Sequence, residues 1–527
     1  MPSTRAVHHW TTTNLGEAAP GVLTPLSWAL WGEPGERAAR RAAFEIGALR
    51  QDELNPPEDP ADWILRLFHG RLAMQLEFMA LMGDRAPGTT GRDAIRGMFG
   101  EAPPGMEFNP TRERYASIAW RFPRAFVTFP RRLRALAADQ DCFWRMSVAR
   151  VADLELPEAL ALFEQGRDRF EHSSGTQLLG TLCSVQPLYD AVDAVIKQAG
   201  TGEIGVLSGA GGAETAVVGD IWRASRGEIE IRDIVAAHGF HGPGEGELSS
   251  TVWREDSTPL QRLAEQYAQR DDGEDPRLAE AGRAEELRTM QAAVLAGLPA
   301  VKRPAVRLLL ALAAERIPQR GVAKRAFLQA IDVSRAAARR AGELLVADGR
   351  IDGRDDVFLL AGDELLAVRD GRELRELVAA RRERRAECER MRFASTEWFG
   401  LPETTVEEEV APELDAGGVL TGIGVSSGVA EGVVRVVTDP SFADVEPDEI
   451  LVAPTTDPSW SSIMFISSAL VVDLGGALSH AAVVARELRI PCVVGTRDGT
   501  RALSTGDRVR VDGAAGTVEL LERAAAV

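Results

Sequence analysis

The stretch that most constrains the fold lies near the carboxyl end of the chain, where an apolar run, two glycines and a helix-like segment follow one another. Residues 469–473 read ALVVD, which is the composition of a buried strand. Gly475 and Gly476 allow a tight turn, because glycine tolerates backbone angles that other residues avoid. The residues after Ser479 read HAAVVAREL and have the composition of a helix. The pattern therefore predicts a strand, a turn and a helix that begins at His480.

His480 is the candidate reactive residue of this stretch. At a helix N-terminus, unpaired backbone N–H groups and the positive end of the helix dipole would stabilise a phosphoryl group carried on the imidazole. A neutral imidazole nitrogen is also a competent nucleophile near pH 7. A histidine after a glycine turn can equally be a helix cap or a hydrogen-bonded polar residue. Spacing alone therefore leaves both interpretations open.

A longer pattern surrounds this histidine. From Gly475 to Gly495 the chain reads Gly-Gly-x-x-Ser-His-x-Ala-x-x-Ala-Arg-Glu-x-x-Ile-Pro-x-Val-Val-Gly. It resembles the swivelling phosphohistidine domain of the PEP-utilising enzymes, a family that includes PEP synthase, pyruvate phosphate dikinase and rifampin phosphotransferase. The resemblance continues through TDPSW at 456–460 and GDRVRVDG at 506–513. It implies that His480 carries a phosphoryl group.

The resemblance also implies a set of residues that support the phosphoryl group. Thr456 and Asp457 border the phosphohistidine loop, and Ser479 orients or caps that loop. Arg486 neutralises the phosphate from the helix, and Gly475 and Gly476 form the glycine turn.

A second candidate site lies at the start of a long apolar-striped segment that predicts a helix from about residue 320 to about 348. Arg320 and Lys324 are four residues apart, which puts them on one helix face. Two converging cations suit a migrating phosphoryl group, although a basic pair on a helix is often only solvated. The stretch resembles the Arg-Glu-x-x-Lys motif at the active site of rifampin phosphotransferase, with Gly321 in place of the glutamate.

A glycine-rich loop begins at residue 238 and reads HGFHGPGE. It resembles the Gly-His-Arg-Gly-Pro-Gly-Glu loop of the rifampin phosphotransferase group, with His241 in place of the arginine. Because histidine titrates near neutral pH, His241 could act as an acid or base, or it could be only a structural hydrogen-bonding residue. The resemblance implies that Gly242, Glu245 and Arg254 belong to the substrate loop.

The pattern along the chain predicts a multidomain α+β protein. We expect a large, mainly α-helical substrate-binding domain over residues 1–401, a flexible acidic linker over 402–418 and a small β/β/α swivelling phosphohistidine domain over 419–527. The linker could span about 50 Å, at roughly 3.3 Å per residue. Short β-branched segments after the linker predict six strands, at 433–437, 450–453, 469–473, 491–494, 508–512 and 517–520.

Three further predictions concern the helical part. We expect the segment from Trp10 to Trp28 to be an extended arm, because it contains prolines and a glycine. Apolar residues at three- and four-residue steps predict a helix from Glu36 to about Met82, with His69 on it as a half-buried polar residue. The glycine run at 209–212 lacks the Lys-Ser/Thr ending of a P-loop, which favours a loop between helices.

Charge and cysteine content limit the partners. The formal net charge of −19 argues against nucleic acid or an anionic membrane surface as the main partner. The four cysteines form no Cys-x-x-Cys pair, so neither a zinc site nor a disulfide framework is predicted. The sequence shows no apolar signal segment and no run as long as a membrane span. We therefore expect a cytoplasmic protein without a metal site.

The family's three-part enzymes carry an ATP-grasp domain that phosphorylates the histidine, and no stretch of this sequence resembles one. We also find no resemblance to the carboxyl-terminal barrel with which PEP synthase and the dikinase handle PEP and pyruvate. Phenylphosphate synthase, in the same family, has its ATP-binding part on a separate subunit. We therefore expect no tightly bound cofactor here, and ATP with Mg²⁺ on a separate ATP-grasp partner protein.

These observations predict a phosphotransferase component that passes a phosphoryl group from His480 to a small-molecule acceptor. One alternative is an enzyme that activates its substrate by phosphorylation for condensation or dehydration. The other is a phosphocarrier or regulator without substrate chemistry of its own. A substrate pocket lined by Arg320 and Lys324 would argue against the carrier.

Overall fold

The computed structural model describes residues 7–13, 15–99, 102–200, 216–368, 373–406, 414–438, 445–456, 460–476 and 479–524. The chain forms two compact units, which we call unit 1 and unit 2. Unit 1 comprises Met1–Ser184, Gly244–Ser250 and Val322–Glu409, and unit 2 comprises Val185–Pro243, Thr251–Gly321 and Val410–Val527. The helices of 185–243 and 251–321 thus group with the carboxyl-terminal part of the chain. The three-part division at 401 and 418 stays a prediction.

Helices make up most of the described chain before residue 390, and three short helices lie beyond it. They are α1 (Leu15–Ala18), α2 (Pro25–Trp31), α3 (Glu33–Glu45), α4 (Leu76–Arg85), α5 (Gly91–Phe99), α6 (Tyr115–Arg150), α7 (Leu156–Gly180), α8 (Gln186–Ala199), α9 (Ala216–Ser225), α10 (Ile231–His238), α11 (Thr258–Ala268), α12 (Pro276–Ala296), α13 (Arg303–Arg316), α14 (Gln319–Ala347), α15 (Gly362–Leu366), α16 (Arg375–Arg390), α17 (Ser461–Ile466), α18 (His480–Leu488) and α19 (Gly499–Ala502).

Strands are concentrated in the last hundred residues. They are β1 (His9–Thr11), β2 (Leu65–Phe68), β3 (Arg71–Gln75), β4 (Met391–Phe393), β5 (Glu397–Phe399), β6 (Thr404–Val406), β7 (Val419–Thr421), β8 (Ile423–Ser426), β9 (Val429–Val436), β10 (Ile450–Ala453), β11 (Ala469–Val472), β12 (Cys492–Val494), β13 (Arg508–Asp512) and β14 (Thr517–Glu522). A helical body and a strand-rich carboxyl-terminal part confirm the predicted α+β class, and the six strands predicted after the linker are all present.

The sheet of unit 2 has the strand order β7-β14-β13-β9-β10-β11-β12-β8. Strands β9, β10, β11 and β12 run parallel to one another, and the other neighbours are antiparallel. Every residue of β10, β11 and β12 is buried, which explains why these strands read as continuous apolar runs in the sequence. The layers on the two faces of the sheet therefore cover its parallel centre.

Helix α18 connects the parallel strands β11 and β12, and a helical crossover is the usual connection of such a pair. Its inward face packs on the sheet through Ala481, Ala482, Val484 and Ala485, which are all buried. Residues of α9, α10 and α11 join the same apolar cluster, with Trp222, Ile234 and Tyr267 among them. The strand-rich fold and these helices thus share one hydrophobic core in unit 2.

Unit 1 is mainly helical, with α3 packed along α7 and with α14 buried over most of its length. The predicted long helix from about 320 to about 348 is confirmed by α14. A four-stranded sheet of order β2-β3-β1-β5 and a two-stranded sheet of β4 and β6 complete the unit. Trp10 of β1 packs in a small aromatic cluster on Phe68 and Ala73.

Two predictions of local structure are wrong. The segment from Glu36 to Met82 is not one helix, because α3 ends at Glu45 and the hairpin of β2 and β3 precedes α4. His69 occupies the hairpin turn with φ of 45°, and Leu67 of β2 pairs with Leu72 of β3 across the two strands. The segment from Trp10 to Trp28 is not a continuous arm, because it contains β1, α1 and the start of α2. Pro25 begins α2 behind an N-cap from Thr24, and proline is well tolerated there.

Among the described residues, no helix is both long and apolar enough to cross a membrane.

Candidate phosphohistidine site

The imidazole of His480 is buried in unit 2, with 2% of the residue exposed. Both ring nitrogens contact a hydroxyl: Thr456 Oγ1 lies 3.1 Å from Nδ1, and Ser461 Oγ lies 3.3 Å from Nε2. A hydroxyl can donate or accept a hydrogen bond, so these two partners satisfy either neutral tautomer of the ring. The ring is thus held at the N-terminus of α18 in a fixed orientation.

The topology of the sheet explains why Thr456 and His480 meet. Thr456 follows β10 and His480 follows β11, which are neighbouring parallel strands paired at Leu451 with Leu470. The carboxyl ends of parallel strands lie at the same edge of a sheet, which is where ligands bind in open α/β folds. Two segments that are 24 residues apart in the sequence therefore converge on one ring.

Ser479 is the N-cap of α18. Its backbone is extended, with φ of −61° and ψ of 162°, and its hydroxyl accepts a hydrogen bond from the Ala482 amide at 3.2 Å. Ser479 therefore caps the helix that begins at His480, and its predicted role at a phosphohistidine stays a prediction. Gly475 has a φ of 147°, a backbone conformation that residues with a Cβ rarely adopt, which explains glycine in the turn after β11.

Ser461 is a contact of His480 that the sequence analysis missed. It begins α17 and is fully buried. The buried Tyr267 of α11 donates a hydrogen bond from its hydroxyl to the carbonyl of Ser462 at 2.9 Å, which fixes the first turn of α17. The signal in the sequence was the serine pair directly after TDPSW, in the segment that connects the two strands before His480.

A buried carboxylate lies directly after β11, at the start of the glycine turn. Asp473 accepts hydrogen bonds from Thr496 Oγ1 at 2.9 Å and from the Thr500 amide at 3.2 Å. Burial raises the pKa of Asp473, while these hydrogen bonds act in the opposite direction. Asp473 thus ties the strand that leads to the glycine turn to the segment after β12.

Arg486 lies two turns along α18 from His480. Its Nε donates a hydrogen bond to the carbonyl of Val425 in β8 at 2.8 Å. Burial lowers the pKa of Arg486, and the nearby Tyr189 and Cys492 act in the opposite direction. The structure therefore places this part of the side chain against β8. Its predicted role in neutralising a phosphate stays a prediction.

The predicted acceptor residues are distributed over both units. Arg320 and Lys324 both lie on α14, as predicted, with Arg320 in unit 2 and Lys324 in unit 1. Within unit 1, Lys324 Nζ lies 3.6 Å from Oε1 of Glu245, which is 2% exposed. The buried guanidinium of Arg335 donates a hydrogen bond to the Glu245 carbonyl at 2.9 Å, which holds this part of the loop on α14.

The other loop residues belong to unit 2. His241 packs between Phe240 and Trp253, with ring centroids 4.3 and 5.8 Å away. A Cβ on Gly242 would lie 2.6 Å from the Thr251 carbonyl oxygen, which explains why the loop needs glycine there. Arg254 forms an ion pair with Glu255 at 3.2 Å.

A histidine–carboxylate pair in the same region was missed by the sequence analysis. Nε2 of His238, at the end of α10, lies 2.9 Å from Oδ2 of Asp220 in α9. The signal was weak, because the two residues are 18 positions apart on different helices.

Some predicted features lie outside the described residues. They are Asp457, the glycine run at 209–212 and the central part of the acidic linker at 407–413. Within the described ranges, no group of three or more His, Cys, Asp or Glu side chains is arranged to hold a metal ion.

Two family models match the chain. Residues 445–516 match the mobile domain of PEP-utilising enzymes, and residues 216–325 match the fourth domain of rifampicin phosphotransferase. The first match contains Thr456, Ser461 and His480, and the second contains His238 and His241. These matches confirm the resemblance that was inferred from the sequence.

Three relatives illustrate the extent of the similarity. The chain is 40% identical over 217 residues to an uncharacterised protein of Mycobacterium tuberculosis, in a match that covers 40% of this chain and 24% of that protein. It is 29% identical over 301 residues to the rifampicin phosphotransferase of Bacillus subtilis, covering 55% of this chain and 34% of the relative. It is 46% identical over 119 residues to a probable phosphoenolpyruvate synthase of Pyrococcus horikoshii, covering 22% of this chain and 14% of the relative. The matches thus span about a third or less of each relative.

Proposed function

We propose that this chain is a phosphotransferase component that carries a phosphoryl group on His480 and passes it to a small-molecule acceptor. The observation that carries the proposal is the imidazole at the N-terminus of α18, with Thr456 Oγ1 at 3.1 Å from Nδ1 and Ser461 Oγ at 3.3 Å from Nε2. The mobile-domain match and the relatives named as phosphotransferases support the same reaction class.

The reaction has two displacement steps. In the first, a lone pair of an imidazole nitrogen attacks a phosphorus in the phosphate chain of ATP, a P–N bond forms, and the P–O bond from that phosphorus to the leaving nucleotide breaks. In the second, an acceptor oxygen attacks the same phosphorus, the P–N bond breaks, and the acceptor proton passes to a base. The amides of the first turn of α18 stabilise the phosphoryl charge between the steps. The hydroxyls of Thr456 and Ser461 can pair with either neutral tautomer, and they hold the ring in one orientation.

Burial of His480 requires a conformational change in this scheme. A ring that is 2% exposed cannot reach a nucleotide or an acceptor without movement of the residues that cover it. We propose that the mobile domain leaves its packed state to receive the phosphoryl group and to deliver it. The segment 402–418 is the proposed tether, with a contour length of about 50 Å.

We further propose that an ATP-grasp partner protein binds ATP and Mg²⁺ and charges His480. Lys324, now paired with Glu245, would supply positive charge to the migrating group, together with Arg320. His241 would accept the proton of the acceptor hydroxyl. The acceptor itself is a small molecule held by the helical part of the chain.

The test combines charging with discharge. The full chain, its ATP-grasp partner and ATP labelled in both its β- and γ-phosphates should give an acid-labile, base-stable label that is absent in His480→Ala. Lys324→Ala should leave charging intact and slow discharge to the acceptor a hundredfold or more, because one lost preorganised charge contact costs about 3 to 4 kcal/mol. Arg325→Ala is the matched control, since Arg325 follows on the same helix and pairs with Asp141 at 3.1 Å.

The outcomes separate the proposed function from its alternative. A label that survives His480→Ala would refute the phosphohistidine. Equal discharge in the parent, Lys324→Ala and His241→Ala would instead favour a phosphocarrier, whose acceptor site lies on another protein.

A further inference from the structure

Unit 1 contains a cleft that is not part of the predicted site. It has a volume of about 620 Å³ and lies between the end of α3 and the first half of α6. Its lining residues are Phe44, Glu45, Arg121, Arg124, Ala125, Thr128 and Arg132. The residues from α6 recur at three- and four-residue steps, so one face of a single helix forms most of the wall.

The cleft is positively charged in a protein whose net charge is −19. Three guanidinium groups and one carboxylate line it, which leaves a formal charge of +2. Glu45 neutralises one of the three, because it forms a two-bond ion pair with Arg132. The positive field extends to α7: partial burial lowers the pKa of His172, and Arg132 and two other arginines lower it further.

The two remaining arginines differ in their contacts. Arg121 is held in place, because it donates to the Phe44 carbonyl at 2.9 Å and its guanidinium carbon lies 4.1 Å from the centre of the Phe44 ring. Arg124 is exposed, and its side chain makes no hydrogen bond or ion pair with the other residues that the structure describes. Its five N–H donors therefore remain available to a ligand oxyanion.

The floor of the cleft is apolar. Ala125 packs in a cluster with Phe129, Leu133 and Ala42, and this cluster includes Ala323, the residue before Lys324. The cleft thus combines a cationic wall, an aromatic ring and an apolar base. Its volume is within the range of about 300 to 1,000 Å³ that is typical of small-molecule sites.

We infer that this cleft binds a small organic molecule that carries a phosphate group. The guanidinium groups of Arg124 and Arg121 match the geometry of phosphate oxygens, and arginine is the residue best suited to bidentate contacts of this kind. The stacked Phe44 and the apolar floor would receive the organic part of the ligand. The inference goes beyond the proposed function and does not depend on phosphorylation of His480.

Phenyl phosphate is a suitable probe, because it joins a phosphate dianion to a flat ring. Titration calorimetry with the full chain should show saturable binding at one site. Arg124→Gln should weaken this binding about tenfold or more, as expected for the loss of one charge-assisted hydrogen bond. The control is Arg134→Gln on the same helix, which removes an equal charge from an exposed residue outside the cleft and should leave binding unchanged.

Two further probes test the chemical class. Benzyl alcohol, a neutral molecule with the same ring, should bind at least tenfold more weakly than phenyl phosphate. Inorganic phosphate should also bind more weakly. The inference would be overturned if phenyl phosphate showed no saturable binding, or if Arg124→Gln and Arg134→Gln weakened its binding equally. It would also be overturned if benzyl alcohol or inorganic phosphate bound as tightly as phenyl phosphate. Because the Arg124 guanidinium has no hydrogen bond or ion pair to lose within the described residues, its substitution should leave the thermal unfolding midpoint unchanged.

Discussion

Thr456 and His480 contact each other across the edge of the sheet, with Oγ1 of the threonine 3.1 Å from Nδ1 of the imidazole. Thr456 is 2% exposed, so water cannot replace its hydroxyl without local opening. The contact joins the segments after two neighbouring parallel strands. It therefore couples the orientation of the reactive ring to the sheet itself.

Replacement of Thr456 by valine should slow the charging of His480. Valine keeps the shape of threonine but cannot hydrogen-bond to Nδ1, and the loss of one such bond corresponds to about 0.5 to 1.5 kcal/mol, or up to about tenfold in rate. Thr456→Ser keeps the hydroxyl and should retain most of the rate. The measurement is the initial rate of label incorporation. Equal rates in Thr456→Val and the parent would show that the contact does not assist the reaction.

Ser479→Ala should destabilise unit 2 by about 1 kcal/mol, because the first turn of α18 loses its cap. Ser479→Gly should fall between the parent and the alanine variant, since glycine is tolerated at N-cap positions. Thermal unfolding of the three proteins measures the effect. If the alanine variant is as stable as the parent, the hydrogen bond from the Ala482 amide is not a stabilising cap.

Gly242→Ala should destabilise the substrate loop. The added Cβ would lie 2.6 Å from the Thr251 carbonyl oxygen and 2.8 Å from Val252 Cα, so the backbone must shift. Gly219→Ala is the matched control, because a Cβ there meets no atom within 4 Å and Gly219 lies inside α9. Alanine in that helix should stabilise the protein by up to about 1 kcal/mol. Opposite shifts of the two unfolding midpoints are expected, and a stabilising Gly242→Ala would contradict the described loop.

Glu53 should contribute a pH-dependent part of the stability of unit 1. Two hydrogen bonds from the buried Arg85, each 2.8 Å long, lower the pKa of Glu53 from 4.5 to about 2. A lowered carboxyl pKa stabilises the folded state above the unfolded pKa, and this stabilisation is lost as the pH falls from about 4.5 towards 2.

The variant Glu53→Gln tests this linkage. It should lose about 2 kcal/mol at pH 7, a figure that allows for partial exposure of the carboxylate to solvent. The difference in unfolding midpoint between parent and variant should narrow as the pH is lowered from 5 to 3. Glu113→Gln is the control, because Glu113 is a more exposed partner of Arg50. A difference between parent and variant that is independent of pH would contradict the linkage.

The phosphohistidine region could be predicted from the sequence because its signals are local. Neighbouring residues encode each of its elements: the apolar runs of β10 to β12, the glycine turn and the helix after Ser479. The contact between Thr456 and His480 required the family resemblance, since no local pattern pairs residues 24 positions apart. Ser461 was missed because its importance depends on the packing of α17 on α11.

The helical part was harder to predict. Apolar residues from Trp63 to Met74 recur at steps that fit a helix, yet they form a hairpin because His69 accepts a positive φ in the turn. The cationic cleft was also missed. The arginines of α6 are visible as a helical stripe, but only the end of α3 turns that stripe into a cleft.

Phosphorylation of His480 can be tested by locating the phosphoryl group on the chain as it occurs in the cell. The tagged full chain would be expressed in the cells that naturally produce it, isolated under alkaline conditions that preserve phosphohistidine, and analysed by peptide mass spectrometry. We expect a phosphorylated peptide that contains His480 and that is lost in His480→Ala. A chain that is unmodified at His480, or that is modified equally in the variant, would contradict this expectation.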